Sequence, residues 1–289
     1  MIRSSGLKSR LDRLTNETGT FSILAIDHRD SLRVELQGEV TDADLARFKA
    51  EVMAAVGAQA SAVMLEPEYS FPQLITDDVV PSQTGVFCAL EAQGYLADPL
   101  AGNEWLDNWS PRHVLDGGGD GAKLLILYRS DRPSAAAAQE DLVARTVKAC
   151  DELDLPLLLE PVPFDVADSG QLQSLVVDSV RRLAPLGPTI LKMPYPGSAQ
   201  ACEAVTEACG DIPWVLLSSG VGFELFAQQL AEACAVGCSG FAVGRALWRE
   251  ALNQDSRAET LKGLIPDRFA QLRQISQTAR PLTGLVSHS

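Results

Sequence analysis

Residues 156–162 read PLLLEPV and residues 189–195 read TILKMPY, two short apolar runs that each enclose a single charged residue. Neither run alternates polar with apolar positions, the pattern of a parallel strand covered on both faces. Between them Leu172, Leu175, Val176 and Leu183 recur at helical spacing, so the segment reads strand, helix, strand. Moving outward, the same kind of run returns at FSILAID (21–27), ASAVMLE (60–66), TGVFCAL (84–90), AKLLILY (122–128), WVLLSSG (214–220) and GFAVGRA (240–246). Helical stripes lie between most of them. The clearest starts at Thr41 as a candidate N-cap, runs through Leu45, Phe48, Val52 and Val56, and stops at Gly57. Others fall at Leu142, Thr146, Cys150 and Leu153, and at Leu225, Phe226 and Leu230.

Eight alternating units select the α/β class, and a single (β/α)8 TIM barrel over residues 1–289 is the expected fold, with a doubly wound open sheet as the structural rival. Two segments exceed a minimal barrel. Residues 91–121, rich in Asp, Asn, Trp and Gly and closing on DGGGDG, predict a long loop after strand three, in which Trp105 and Trp109 either pack a flap or cover a hydrophobic face of the barrel. Beyond residue 255, Leu261, Leu264, Phe269, Leu272 and Ile275 predict a C-terminal helical extension, and Ala135 to Ala138 predict a helix start.

Composition narrows the function classes. Against 24 basic residues stand 38 acidic ones, a formal charge of −14 that repels nucleic acid and anionic lipid. The opening MIRSSGLKSRLDRL has no apolar core of a leader, and no apolar run is long enough to span a membrane, so the cytoplasm is the expected location. Six dispersed cysteines without a Cys-x-x-Cys pair read as reduced core thiols. The three histidines His28, His113 and His288 are too few and too scattered for a catalytic zinc site, and His288 belongs to the terminal tail. No metal or cofactor is expected. Carbon-bond chemistry then needs another electron sink, and a lysine imine is one that a protein makes unaided.

Barrel enzymes carry their reacting groups at the C-terminal ends of strands. Here those ends supply Asp27-His28-Arg29-Asp30 on strand one, Glu66-Pro67-Glu68 on strand two, Lys123 on strand four, Glu160 on strand five and Lys192 on strand six. Burial in TILKMPYP disfavours an ammonium and favours a neutral amine nucleophile at Lys192; the plainer reading is a lysine that snorkels or pairs with a carboxylate. Lys123 and Glu160 on adjacent strands favour the first reading, by electrostatics and by proton shuttling, although the two could equally form a buried ion pair. In LLSSGVGFELF (216–226), Ser218, Ser219, Gly220 and Gly222 let backbone N–H groups approach a ligand, and the helix that follows offers its positive end. Gly244-Arg245 adds a guanidinium after strand eight, where barrels often bind phosphate.

With these segments in view, the chain resembles the class I aldolases related to tagatose-1,6-bisphosphate aldolase and sulfofructose-phosphate aldolase. The likeness runs through LAIDHRDSLR, KLLILYRSD, LEPV, LKMPYPG, WVLLSSGV and GFAVGRALW, nearly the full length. It implies that Lys192 forms the Schiff base and that Lys123 and Glu160 assist proton transfer. It implies further that Asp27 contributes to the site and that the Ser219-Gly220 and Gly244-Arg245 loops hold a dihydroxyacetone-phosphate phosphate. The chain departs from the family at His28, where Asp-Gln-Arg is more usual, and at Met193-Pro194, where an acidic residue usually follows the lysine. His28 is a candidate for a substrate oxygen or anion, or for a rim position bonded to backbone.

The expected reaction is cleavage of a ketose 1-phosphate bearing a second anionic group, such as tagatose or fructose 1,6-bisphosphate or 6-deoxy-6-sulfofructose 1-phosphate, with Arg29 gripping the far end. The expected partner is a small phosphorylated sugar, with neither nucleic acid nor membrane, and the chain is expected to form a homo-oligomer. The rival readings are a Schiff-base lyase or transaldolase on another keto acid or inositol-derived phosphate, and a non-catalytic sugar-phosphate sensor. The latter has no need of an intact Lys192, Lys123 and Glu160.

Overall fold

The computed structural model describes residues 4–36 and 38–282; His288 lies outside them. All eight expected strands form: β1 (Phe21–Ala25), β2 (Ala62–Leu65), β3 (Gly85–Ala89), β4 (Gly121–Leu127), β5 (Leu157–Val162), β6 (Ile190–Met193), β7 (Trp214–Leu217) and β8 (Gly240–Val243). They pair in parallel and in sequence order into a closed barrel, β8 returning to β1, which excludes the open sheet. At this seam Phe21 faces Gly240 and Leu24 faces Val243. Gly240 sits at φ 131°, a region open to glycine, and any side chain there would overlap the Phe21 carbonyl oxygen.

Twelve α-helices are present among the described residues: α1 (Ser5–Leu14), α2 (Asp30–Leu36), α3 (Asp42–Val56), α4 (Gln73–Thr76), α5 (Pro111–Asp116), α6 (Pro133–Asp151), α7 (Ser169–Leu183), α8 (Ala199–Cys209), α9 (Phe223–Ala235), α10 (Arg245–Trp248), α11 (Arg257–Lys262) and α12 (Leu264–Ile275). None is long and apolar enough to cross a membrane.

Strand periodicity divides the core in two. Leu24, Val63, Leu65, Leu124, Leu157, Leu159 and Leu191 face outward into the layer between barrel and helices. Ile23, Ala25, Ala62, Met64, Phe87, Leu158, Ile190 and Val215 face inward, and Leu7, Leu11 and Leu14 of α1 join them, closing the N-terminal end. Lys123, Glu160 and Lys192 occupy the inward parity, so the register itself carries them into the barrel interior toward the open end.

Local chemistry explains the helix limits, with two corrections. Thr41 caps α3: its Oγ1 accepts from the Asp44 N–H at 3.2 Å, and its own N–H donates to Asp44 Oδ2 at 2.9 Å. Gly57, however, is no left-handed stop. It stands at φ −54°, leads into a short 3-10 turn, and is glycine because a side chain would overlap Met53 Sδ. In α9 the buried face is Phe223, Phe226, Ala227, Leu230 and Ala233, whereas Leu225 points to solvent.

The segment after β3 is packed as expected. Trp105 Nε1 donates to Thr146 Oγ1 and Trp109 Nε1 to the Ala89 carbonyl, both at 3.0 Å, and His113 stacks on Trp109. Of the C-terminal positions, Phe269 and Leu272 are buried, Phe269 meeting Phe241 edge-on, while Leu264 is exposed and Ile265 takes its place in the core. All six cysteines are free and buried.

A fully buried charged pair joins a helix to a strand end. Lys49 of α3 bonds Glu66 at the end of β2, both fully buried, and Glu66 also accepts from Ser70 Oγ at 2.8 Å and from the Glu68 and Tyr69 N–H groups at 2.9 and 3.1 Å. Removing the cation alone strands a carboxylate in the core. Lys49→Met is therefore expected to cost about 3–5 kcal/mol in denaturant unfolding, and Lys49→Met with Glu66→Gln clearly less. Equal losses for the single and double variants would show that the pair is not the source.

Candidate active site

The open end of the barrel holds a cavity of about 960 Å³ whose wall includes Asp27, His28, Arg29, Glu91, Lys123, Glu160, Lys192, Ser219 and Arg245. The inward parity accounts for most of this list. It runs within the strands from Leu158 to Glu160 and from Ile190 to Lys192, and continued past the strand ends from Ala25 to Asp27, Ala89 to Glu91 and Leu217 to Ser219.

Lys123 stands at the centre. Its Nζ lies 2.9 Å from Asp27 Oδ2, 2.6 Å from Glu91 Oε1 and 3.3 Å from Glu160 Oε2. Glu160 Oε2 in turn lies 2.9 Å from Lys192 Nζ, beneath which Met64 Sδ sits at 3.7 Å. Lys123 and Glu160 thus form a buried ion pair, and they do so beside Lys192. Glu91 was missing from the sequence reading. It is the residue that strand three presents at its end, and besides binding Lys123 it accepts from the Leu125 N–H at 3.0 Å.

Burial works against every charge here, so the partners decide each protonation state. Burial opposes the Lys123 ammonium, but Asp27, Glu91 and Glu160 hold it well above the ordinary lysine range. Burial would likewise raise the acids. Lys123 and Lys192 overcome it at Asp27, which falls well below the usual carboxylate range, and Lys192 with Lys123 lower Glu160. Tyr95, also on the cavity wall, is pushed up to about 12 by burial and remains a neutral phenol.

At one side of the cavity the end of β7 turns through Ser219 (φ 47°) and Gly220 (φ 70°) into α9. Gly222 precedes α9 and gives it no side-chain cap, whereas Asp168 caps α7 and Ser198 caps α8. A helix start without a side-chain cap can offer its first N–H groups to an outside acceptor. The Arg245 and Arg249 guanidinium groups pack against Gly220, about 3.2 Å from where a Cβ would stand. Arg245 pairs with Glu35 at 3.1 Å. Gly244 allows His28 to approach: a Cβ there would meet His28 Cε1 at 2.9 Å.

Two expected binding residues behave differently. His28 packs edge-on against Trp248, and its buried Nδ1 has no hydrogen-bond partner among the described residues, the Asp27 Oδ1 lying 3.9 Å away. Arg29, expected to grip the far end of a substrate, is committed to the protein instead. Its Nη1 donates to Glu68 Oε2 and its Nη2 to the Glu91 carbonyl, both at 2.7 Å. With its side-chain oxygen turned to Arg29, Gln93 accepts from Nε at 3.1 Å and from Nη2 at 2.9 Å. The sequence shows Arg29 at a strand end but not the loop residues that bind it.

The family profile of DeoC/LacD aldolases matches residues 21–250, from the start of β1 to just past α10. The chain belongs to the DeoC/LacD aldolase family. As a member of that family it is an aldolase, a lyase. Over 281 residues it is 31% identical to tagatose 1,6-diphosphate aldolase 2 of Enterococcus faecalis, covering 85% of this chain and 84% of that protein. It is 30% identical over 277 residues to tagatose 1,6-diphosphate aldolase of Listeria monocytogenes, covering 84% and 81%. Among solved structures, an archaeal fructose 1,6-bisphosphate aldolase superimposes with a TM-score of 0.66 at 18% identity, covering 91% of this chain and 99% of that one. The Plasmodium falciparum fructose-bisphosphate aldolase does so with a TM-score of 0.73 at 13% identity, covering 95% of each. Those two likenesses support the fold.

The His28 environment yields a pH signature. Burial, opposed by Asp27 and reinforced by Arg245, lowers this imidazole to about 4. The unfolded chain protonates it near 6.5. Between these values the unfolded state binds more protons, so folding stability falls as pH falls, and below about 4 this loss levels off. His28→Gln is expected to remove the effect: its stability relative to the parent should rise by about 2 kcal/mol from pH 7.5 to pH 5. Urea unfolding at the two pH values measures it, and a pH-independent difference would contradict the assignment.

Proposed function

We propose that the protein is a class I aldolase that cleaves a ketose 1-phosphate to dihydroxyacetone phosphate and an aldehyde through a Schiff base on Lys192. The observation that carries this reading is the placement of Lys192 Nζ inside the cavity, 2.9 Å from Glu160 Oε2, with Glu160 also 3.3 Å from the Lys123 ammonium. A carboxylate in contact with the amine can take its proton and expose the lone pair that attacks C2 of the substrate.

The balance of charge suits each later step. Loss of water from the carbinolamine gives an iminium, which leaves a cation where the Lys192 ammonium stood. Asp27 and Glu160 therefore keep a positive neighbour while the imine draws electrons from the C3–C4 bond. Glu160 is the group we assign to remove the C4 hydroxyl proton, and Lys123 keeps it ionised beforehand. Asp27 and Glu91 hold Lys123 in place from the opposite side. The C1 phosphate is assigned to the Ser219-Gly220 turn, the uncapped start of α9, and Arg245, a set of backbone donors and a guanidinium suited to a dianion. The names of the curated relatives agree with a ketose phosphate as substrate.

Borohydride reduction in the presence of dihydroxyacetone phosphate is expected to leave a stable adduct on the peptide carrying Lys192. An adduct on Lys123 would reassign the nucleophile. Glu160→Gln is expected to slow cleavage by roughly 10²- to 10⁴-fold while ligand binding survives; a raised KM at unchanged kcat would make Glu160 a binding group.

Arg245→Ala is expected to weaken dihydroxyacetone phosphate binding by about 1.5–3 kcal/mol in calorimetric titration, the range of a charge-assisted hydrogen bond. Should the variant lose stability at unchanged affinity, its pair with Glu35 would be its main role.

A further inference from the structure

We infer that Arg249 is a second guanidinium of the C1-phosphate site, which stands beside Arg245 and supplies the net positive charge that Arg245, already paired with a carboxylate, does not. The inference deepens the assignment of the C1 phosphate to the Ser219-Gly220 turn given above and rests on it.

The segment GRALWRE (244–250) places the two arginines four residues apart. One helical turn joins them, the Arg249 N–H donating to the Arg245 carbonyl, so both side chains leave the backbone on the same side. Their guanidinium groups then meet the same residue. A Cβ at Gly220 would lie 3.2 Å from Arg245 Cζ, 3.3 Å from Arg245 Nε and 3.2 Å from Arg249 Nη2. Glycine at 220 therefore serves twice: it permits the left-handed turn at φ 70°, and it lets two cations close on the backbone of that turn.

Like charges at this spacing repel each other unless an anion lies between them. The neighbouring carboxylates do not fill that place. Glu35 Oε1 binds Arg245 at 3.1 Å, while Glu35 Oε2 is buried with no hydrogen-bond partner among the described residues, so Glu35 does not bridge to Arg249. Glu250, the next residue in the chain, is taken by Arg268 at 2.7 Å. Glu224, in the first turn of α9, is exposed and pairs with neither arginine. Arg249 is itself exposed and makes no ion pair or hydrogen bond among the described residues. Over the cradle the charges of Arg245 and Glu35 cancel. Without Arg249 a phosphate dianion would meet backbone N–H groups and no net cation, in a protein of formal charge −14. With Arg249 it meets a guanidinium whose planar fork matches phosphate oxygens. The consequence is selection for a phosphate monoester at C1 over an uncharged hydroxymethyl group.

Dihydroxyacetone and dihydroxyacetone phosphate present the same carbonyl to Lys192 and differ only in the phosphate. Borohydride trapping of each on Lys192, at ligand concentrations below saturation, gives two rates whose ratio reads the phosphate site. The parent is expected to favour the phosphate ester. Arg249→Gln is expected to lower the ratio by roughly tenfold or more, the scale of a charge-assisted hydrogen bond, and Arg249→Glu to lower it further. A merely structural role would slow both ligands alike, so an unchanged ratio in the variants overturns the inference, as does a parent that traps the two ligands equally. Should one variant fail to fold, the other decides; failure of both also overturns the inference, because an exposed residue that only holds substrate is not needed for folding. The aldolase reading is judged on the parent alone. A Lys192 adduct with dihydroxyacetone phosphate together with an unchanged ratio in the variants sinks this inference and leaves that reading standing, whereas no adduct with either ligand removes both.

Discussion

The ammonium of Lys123 is the group on which the rest of the site depends. Three carboxylates, from the ends of β1, β3 and β5, converge on it in the interior of the barrel. Without a cation between them these acids would repel one another in a medium that already disfavours charge, and some would take up protons or turn away. Lys192 and Lys123 together hold Glu160 below its ordinary carboxylate value, and Lys123 joins three strand ends. Such a cluster contributes little net stability for its size, because each charge has lost its hydration. What it sets is geometry: three carboxylates and two ammonium groups are held in fixed contact at the open end.

Much of this arrangement was legible before any coordinates, for a specific reason. A barrel strand has two faces, and a charged residue inside a continuous apolar run must point either at the helices or into the barrel. Lys123, Glu160 and Lys192 interrupt otherwise apolar runs, so they stood out. Glu91 did not, because it follows the run GVFCAL and opens a loop rich in polar residues, where one more acid carries no contrast. Its role depends on that loop doubling back, with Glu91 bridging to Trp105, a contact that no local pattern encodes.

The same limit explains Arg29 and Leu225. Arg29 stands where a substrate-gripping residue belongs, but whether a guanidinium is free depends on Glu68, Glu91 and Gln93, which arrive from two other strands. Leu225 satisfies a helical stripe in sequence as well as its neighbours do. The buried side of α9 is instead set by the direction in which Phe223 and Phe226 meet the barrel and by Arg268, whose guanidinium lies over the Phe223 ring. At Gly57 the residue type was informative and its meaning was not. Left-handed turns and tight contacts both demand glycine, and only packing against Met53 distinguishes them.

The β1–β8 seam has a consequence for how the chain reaches this structure. The first and last strands of the barrel are neighbours, joined through pairs such as Phe21 with Gly240. A ribosome delivers β1 early and β8 only after some two hundred further residues. Until then the barrel cannot close, and closing so long a loop carries an entropic cost. A chain in which β8 has not docked leaves the β1 edge unpaired, and such edges are templates for pairing with other chains. Substitutions that slow docking at Gly240 are therefore expected to lower soluble yield even where the finished barrel tolerates them.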